Sequence, residues 1–202
     1  MYVTTEKIVF GGNALARLDG KAVFIPFALP EETLEISITT TRRDYSEAVI
    51  TRIITPSPHR ITPPCPYFGQ CGGCNLQMAE DEYQQLLRQT MVEELFSRAH
   101  LSPERPPVFT AGPAWEYRNR FQFHANKHEA FGMHGVASNA VVPVRDCPVA
   151  APALRALLQQ NKLKTLFPRT KKHDKDRYHV FAQDAVYSPA HPDAAARIHD
   201  TT

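Results

Sequence analysis

Three cysteines fall within a single short stretch, Cys65-Pro66-Tyr67-Phe68-Gly69-Gln70-Cys71-Gly72-Gly73-Cys74. The fourth and last, Cys147, stands far downstream in Arg145-Asp146-Cys147-Pro148. A fold that uses the four thiols together must carry residue 147 back to the 65–74 segment, and few topologies do so. A four-thiolate set suits either a zinc ion or an iron–sulfur cluster. A structural zinc site usually adds a second short CxxC or an HxxxH, and neither is present. The longer Cys65–Cys71 gap, the glycines and the single remote cysteine lean toward [4Fe–4S], with zinc as the alternative. Gly69, Gly72 and Gly73 permit positive φ and close approach of backbone N–H groups to a negative centre. Disulfides would call for an oxidising compartment, yet the start, Met1-Tyr2-Val3-Thr4-Thr5-Glu6-Lys7, has neither a basic n-region nor an apolar h-region. A cytoplasmic protein is expected.

Composition sets the outer bounds. A chain of 202 residues with 43% hydrophobic content can build one or two domains with a real core. No apolar run approaches a membrane-spanning length. Seventeen prolines favour strands, turns and connectors over a helical bundle. A net charge of +2 does not by itself announce a nucleic-acid partner. Its distribution says more: Arg155, Lys162, Lys164, Arg169, Lys171, Lys172, Lys175 and Arg177 are set against only Asp174 and Asp176. That segment is either a solvated loop or a phosphate contact.

Residues 1–62 read as a small β-barrel. Val3–Phe10 is strand-like and ends at Gly11-Gly12-Asn13. Ala14–Leu18 and Lys21–Phe27 flank Asp19-Gly20, a two-residue hairpin signal. Leu34–Thr40 alternates apolar and polar, and Tyr45–Thr55 does so in part. Short strands of this kind suggest an OB-like barrel, a fold that often binds single-stranded nucleic acid. With seven basic and seven acidic residues it carries no broad electrostatic footprint. Pro56–Pro64 reads as a linker. Glu80–Ala99 reads as an amphipathic helix with Tyr83, Leu87, Met91 and Leu95 as a core stripe, and Leu101–Pro113 as a connector.

Trp115–Lys127 reads as a strand. Trp115, Tyr117, Asn119, Phe121, Phe123 and Ala125 fall on a face that should bury. Arg118, Arg120, Gln122, His124 and Asn126 form a row of donors suited to phosphate and base edges. His124, His128 and His134 read as surface histidines. Strands over Glu129–Met133 and Asn139–Val144, around a Gly135 turn, would deliver Cys147. A short helix over Pro152–Gln160 buries Leu154, Leu157 and Leu158. Tyr178–Ala182 reads as a last strand, and Ser188–Pro192 as chain emerging into solvent.

The stretch C-P-Y-F-G-Q-C-G-G-C-N-L-Q, preceded by Pro56-Ser57-Pro58-His59-Arg60 and followed by Tyr117-Arg118-Asn119-Arg120 and Asp146-Cys147-Pro148, resembles the RNA uracil-5 methyltransferase family of the TrmA/RumA type. The resemblance runs from about Thr5 to Val149 and then fades. It implies a TRAM domain over 1–62, and a central α+β iron–sulfur domain over 63–202 whose C-terminal boundary stays open. The fold class is thus mainly β with an α+β second part. Cys65, Cys71, Cys74 and Cys147 would hold a [4Fe–4S] cluster. RNA, whether rRNA or tRNA, is the implied partner of a monomer with no membrane association. Arg60, Arg118, Arg120, Gln122, His124 and Lys127 are the candidate RNA contacts.

The family's reaction needs a thiolate that adds to the pyrimidine ring, and a glycine-rich turn for S-adenosylmethionine. The cluster claims all four cysteines, and the last glycine is Gly135. This stretch of chain is therefore expected to be inactive alone, with S-adenosylmethionine bound only where a further C-terminal domain supplies its site. Two other classes are a stand-alone RNA-binding iron–sulfur or zinc protein without catalysis, and an electron carrier.

Overall fold

The computed structural model describes residues 1–105, 107–110, 112–125, 131–163, 177–181, 186–188 and 191–196. They divide into two compact units: Met1–Pro63 with Cys74–Ala111, and Pro64–Gly73 with Gly112–Thr202.

The first unit is built on a closed barrel of five strands, β1 (Tyr2–Ile8), β2 (Ala14–Leu18), β3 (Lys21–Ile25), β4 (Thr33–Thr41) and β5 (Tyr45–Thr55), in the order β1-β2-β3-β5-β4. The β2–β3 hairpin turns at Asp19 (φ 51°) and Gly20 (φ 80°), as the Asp-Gly pair predicts. Closure comes from an antiparallel β1–β4 pair and a parallel β3–β5 pair, which leave no open sheet edge. Alternation sends Val3, Thr5, Ile8, Ala14, Ala16, Val23, Ile25, Leu34, Ile36 and Ala48 inward.

One end of the barrel is plugged by the loop before β4, where Ala28, Leu29 and Glu32 are fully buried. The Thr5 hydroxyl accepts from the Glu32 N–H at 2.9 Å. Glu32 accepts from the backbone N–H of Leu29 at 2.9 Å and of Ser57 at 3.1 Å. It also takes a fork from Arg60, whose Nη2 lies 2.8 Å from its Oε2 and 2.8 Å from the Phe27 carbonyl. The 56–63 segment has no regular structure, but it is not a free linker. Ser57 is buried, Arg60 bridges Ala79, and the Ile61 N–H donates to the Met78 carbonyl at 2.9 Å.

The helix α1 (Asp81–Arg98) forms where the four-residue periodicity places it. Its stripe is only partly core: Leu87 is buried, whereas Leu86 and Leu95 are exposed. The helix lies alongside the barrel rather than beneath a second layer. An ion pair from Lys7 on β1 to Glu94 at 2.6 Å marks its flank. Among the described residues no helix is long and apolar enough to cross a membrane.

The second unit holds a four-stranded antiparallel sheet in the order β8-β7-β6-β9, with β6 (Arg120–Ala125), β7 (Phe131–His134), β8 (Val141–Pro143) and β9 (Arg177–Phe181). Helix α2 (Pro152–Gln159) starts at a proline and buries Leu154, Leu157 and Leu158, as its pattern requires. Strand β6 begins at Arg120, five residues later than read from the sequence. Phe121, Phe123 and Ala125 are buried, but Trp115, Tyr117 and Asn119 precede the strand and Tyr117 is exposed. Glu116 interrupts the extended run with φ 57°. Of the Ser188–Pro192 stretch, Pro189 and Ala190 lie outside the described residues. Strand β10 (Val186–Ser188) pairs antiparallel with β11 (His191–Ala196).

Candidate cysteine-loop site and polar strand

Cys65, Cys71 and Cys147 belong to the second unit, and Cys74 opens the segment that returns to the first. All four are half-buried thiols outside any disulfide. Among the described residues no three His, Cys, Asp or Glu side chains are grouped as a metal-holding set. What the structure does define is the backbone that carries the thiols.

The 65–73 loop is a chain of tight turns. The Phe68 N–H donates to the Cys65 carbonyl at 3.1 Å, and the Cys71 N–H to the Tyr67 carbonyl at 2.8 Å. Gly69 takes φ 80°, which a side chain would oppose. Cys71 forms an isolated antiparallel bridge with Gly135, next to a Gly72 N–H bond to the His134 carbonyl at 2.9 Å. A Cβ on Gly72 would lie 3.1 Å from both the His134 and Gly135 carbonyl oxygens. Glycine there eases the close packing of two backbones, and its φ plays no part. The Gly73 N–H points at the Cys71 sulfur at 3.4 Å, the kind of N–H···S contact that a thiolate favours.

The Cys147 loop is held from two sides. The Ala150 N–H donates to the Cys147 carbonyl at 2.9 Å, and Glu116 and Arg118 run alongside Pro148–Ala151 in parallel. Arg155 on α2 forks onto Asp146, with Nε–Oδ1 at 2.6 Å and Nη2–Oδ2 at 3.0 Å, and reaches Glu116 Oε1 at 3.0 Å. The bond from Arg155 holds the Asp146 carboxyl below its usual range against the opposing effect of burial. The two carboxylates raise the Arg155 pKa in turn. Arg155 is thus not part of a solvated basic run. Most of that run, residues 164–176, lies outside the described residues.

The polar row splits by environment. Arg120 is exposed and Gln122 is half-buried. His124 is buried, not at the surface. Its ring stacks on His134 with centroids 3.4 Å apart, and its Nε2 lies 3.0 Å from Gln122 Nε2. Arg118 turns inward and Arg60, in the other unit, is the Glu32 partner. Lys127, with Asn126 and His128, lies outside the described residues. Sequence reasoning missed Arg155, Asp146 and Glu116 as a brace. The only signal was an acidic residue beside Cys147 and a lone arginine on an otherwise apolar helix.

The TRAM domain family matches residues 2–51, which cover most of the barrel. An RNA methyltransferase of Treponema denticola, itself described as uncharacterized, is 43% identical over 199 residues, covering 90% of this chain and 49% of that protein. The chain carries a TRAM domain and is homologous to RNA uracil-C5 methyltransferases. One of them, the 23S rRNA (uracil(1939)-C(5))-methyltransferase RlmD of Pectobacterium atrosepticum, is 36% identical over 162 residues, covering 78% of this chain and 36% of its own length. The chain spans half or less of the length of these curated relatives. Among solved structures, Pyrococcus abyssi tRNA (uracil-54, C5)-methyltransferase in complex with S-adenosyl-L-homocysteine superposes on 80% of this chain and 36% of its own. With a TM-score of 0.54 at 18% identity, that likeness concerns the fold alone.

Proposed function

We infer that these residues form the RNA-recognition and [4Fe–4S]-binding part of an S-adenosylmethionine-dependent RNA uracil-C5 methyltransferase acting on rRNA or tRNA. One observation carries the reading. The 43% identity to an RNA methyltransferase extends over 199 residues, so it takes in the cysteine loops as well as the TRAM barrel. The donor chemistry fits a cluster: four thiols outside disulfides, an N–H aimed at one of them, and glycine where a Cβ would crowd the facing backbone. Cys65, Cys71, Cys74 and Cys147 are the proposed ligands. A bound cluster would supply a fixed inorganic anchor between two loops. With all four thiols so engaged, none is left to add to a uracil ring, and the role of this part is to bind and orient RNA.

Arg120, Gln122 and Lys127 are the proposed direct RNA contacts on the second unit. Arg60, Arg118 and His124 contribute by shaping the backbone around them: Arg60 is held by Glu32, Arg118 by the Gly73 carbonyl, and His124 is buried.

Anaerobically prepared protein tests the cofactor. It should absorb broadly at about 400 nm and contain about four irons per chain. Colourless protein with one zinc would replace the cluster by the zinc alternative. Arg120→Ala tests the RNA face, and it should weaken binding and flatten the salt dependence by about one unit of log–log slope. An unchanged slope would remove Arg120 from the interface.

A further inference from the structure

The geometry points to Arg118 as the positioning residue that couples the two cysteine loops. Its backbone holds the Cys147 loop while its guanidinium orients the peptide between Gly73 and Cys74. This rests on the proposed four-thiolate site and assigns one side chain a task within it.

The backbone half is direct. The Arg118 N–H donates to the Val149 carbonyl at 2.8 Å, and its carbonyl accepts from the Ala151 N–H at 2.9 Å. Those two bonds clasp Ala150, whose own N–H holds the Cys147 carbonyl at 2.9 Å. The side-chain half runs the other way. Nη1 donates to the Gly73 carbonyl at 3.2 Å and Nε to the Arg120 carbonyl at 3.2 Å. The guanidinium carbon sits 4.7 Å from the centroid of the buried Phe121 ring, which fixes the plane of the fork.

Gly73 is then held at both of its peptide groups. Its N–H is on the Cys71 sulfur at 3.4 Å and its carbonyl is on Arg118. That carbonyl belongs to the peptide bond leading into Cys74. Turning that peptide would swing the Cys74 backbone and free the Gly73 Cα that also carries the N–H on the Cys71 sulfur. A residue chosen only to meet RNA phosphate would gain nothing from two carbonyl acceptors and a stacked ring. A lysine could not make both bonds from one rigid plane. Partners one step out from a ligand set are worth roughly ten- to a hundredfold in metal retention.

The test uses the full 202-residue chain loaded with iron and sulfide under anaerobic conditions. Iron release to a ferrous chelator is followed for the parent, Arg118→Ala, Arg118→Lys and Arg145→Ala. The last removes an exposed charge two residues from Cys147 without touching Gly73. Release should accelerate roughly tenfold or more in Arg118→Ala and by less in Arg118→Lys, and should stay at the parent rate in Arg145→Ala. The midpoint potential of the loaded protein should fall in Arg118→Ala and hold in Arg145→Ala, because hydrogen bonds to cluster sulfur raise the potential. If Arg118→Ala does not fold, the lysine variant and its potential carry the comparison. Parent protein with four irons and Arg118 variants within twofold of its release rate would overturn the assignment alone. Parent protein that holds no metal would overturn the proposed site and this inference together.

Discussion

Arg60→Ala is the most demanding test of how the barrel is held. Glu32 has no exposed surface, and its carboxylate depends on four donors: two backbone N–H groups and two from Arg60. The Arg60 side chain is itself only 17% exposed. Removing it deletes both charge-assisted bonds and leaves a buried carboxylate with half its partners. Breaking a buried pair in this way costs about 3–5 kcal/mol, against a typical domain stability of about 5–15 kcal/mol. An exposed pair offers the contrast: Arg43 and Asp44 are 95% and 87% exposed and 4.0 Å apart, and Arg43→Ala should cost less than about 0.5 kcal/mol. Urea denaturation monitored by circular dichroism measures both. In a double-mutant cycle, Glu32→Gln in the Arg60→Ala background should recover at least about 1 kcal/mol, since the neutral amide no longer needs a counter-charge. A loss below about 1 kcal/mol for Arg60→Ala alone would mean that water reaches Glu32 and that the plug is not a buried ion pair.

The remaining predictions concern single contacts. A Cβ on Gly132 would meet the Val142 carbonyl oxygen at 1.8 Å, so Gly132→Ala should break the β7–β8 pair, costing more than about 2 kcal/mol or preventing folding of the second unit. Normal solubility and thermal stability of that variant would contradict the register. The hydrogen bond from Lys7, aided by the charges of Lys7 and Arg98, holds the Glu94 carboxyl below its usual range, although burial opposes it. That stabilisation is present above the unfolded carboxyl pKa and disappears as pH falls through the lower folded value. Glu94→Gln should therefore lose up to about 1 kcal/mol at neutral pH and match the parent well below about pH 4. A pH-independent difference would assign the effect to packing. Cys147→Ser should abolish the absorbance at about 400 nm, because one missing thiolate opens a four-ligand cage. Unchanged iron content would exclude Cys147 as a ligand.

The barrel was legible because each of its strands carries a local signal. Alternation, the Asp19-Gly20 turn and the apolar runs fix every strand without knowledge of a neighbour. The parallel β3–β5 closure was not legible, since no local pattern reports which distant strand seals a barrel. The β7–β8 hairpin and α2 were readable for the same local reason. The failures share a different cause. Strand β6 was extended through Trp115 because alternation continues there, whereas Glu116 turns the backbone with φ 57°. The α1 stripe was read as core because periodicity reports a face but not what covers it. His124 was read as exposed because a polar row looks solvated, and only the approach of β7 brings His134 onto it. Apart from these failures, the internal bonds of Arg60 and Arg118, two of the candidate RNA donors, were also not foreseen. Their acceptors, Glu32 and the Gly73 carbonyl, lie 28 and 45 residues away in sequence, beyond the reach of any spacing rule.

That inward use of arginine bears on how the barrel could hold RNA. Lys7, Arg17, Arg52 and Arg60 each lie beside a carboxylate, at Glu94, Glu6, Glu35 and Glu32. Three further cations are grouped together, Lys21, Arg42 and Arg43, the last of them 4.0 Å from the exposed Asp44. Lys21 Nζ donates to the Arg42 carbonyl, which places it at the tip of the β4–β5 hairpin. Beside them Phe24 and Tyr45 meet edge to face at 5.5 Å, both half-buried and able to offer a ring to a base. Three phosphate contacts on single-stranded RNA give a log–log salt slope of about −2. Binding by the barrel should therefore be weak, show a slope of about that size, and lose about 0.7 of a unit of it in Arg42→Ala. Fluorescence anisotropy with a short single-stranded RNA between about 50 and 200 mM salt measures the slope. A slope several units steeper, unaltered by Arg42→Ala, would place the electrostatic contact elsewhere, and the basic 164–176 segment would then be the first place to look.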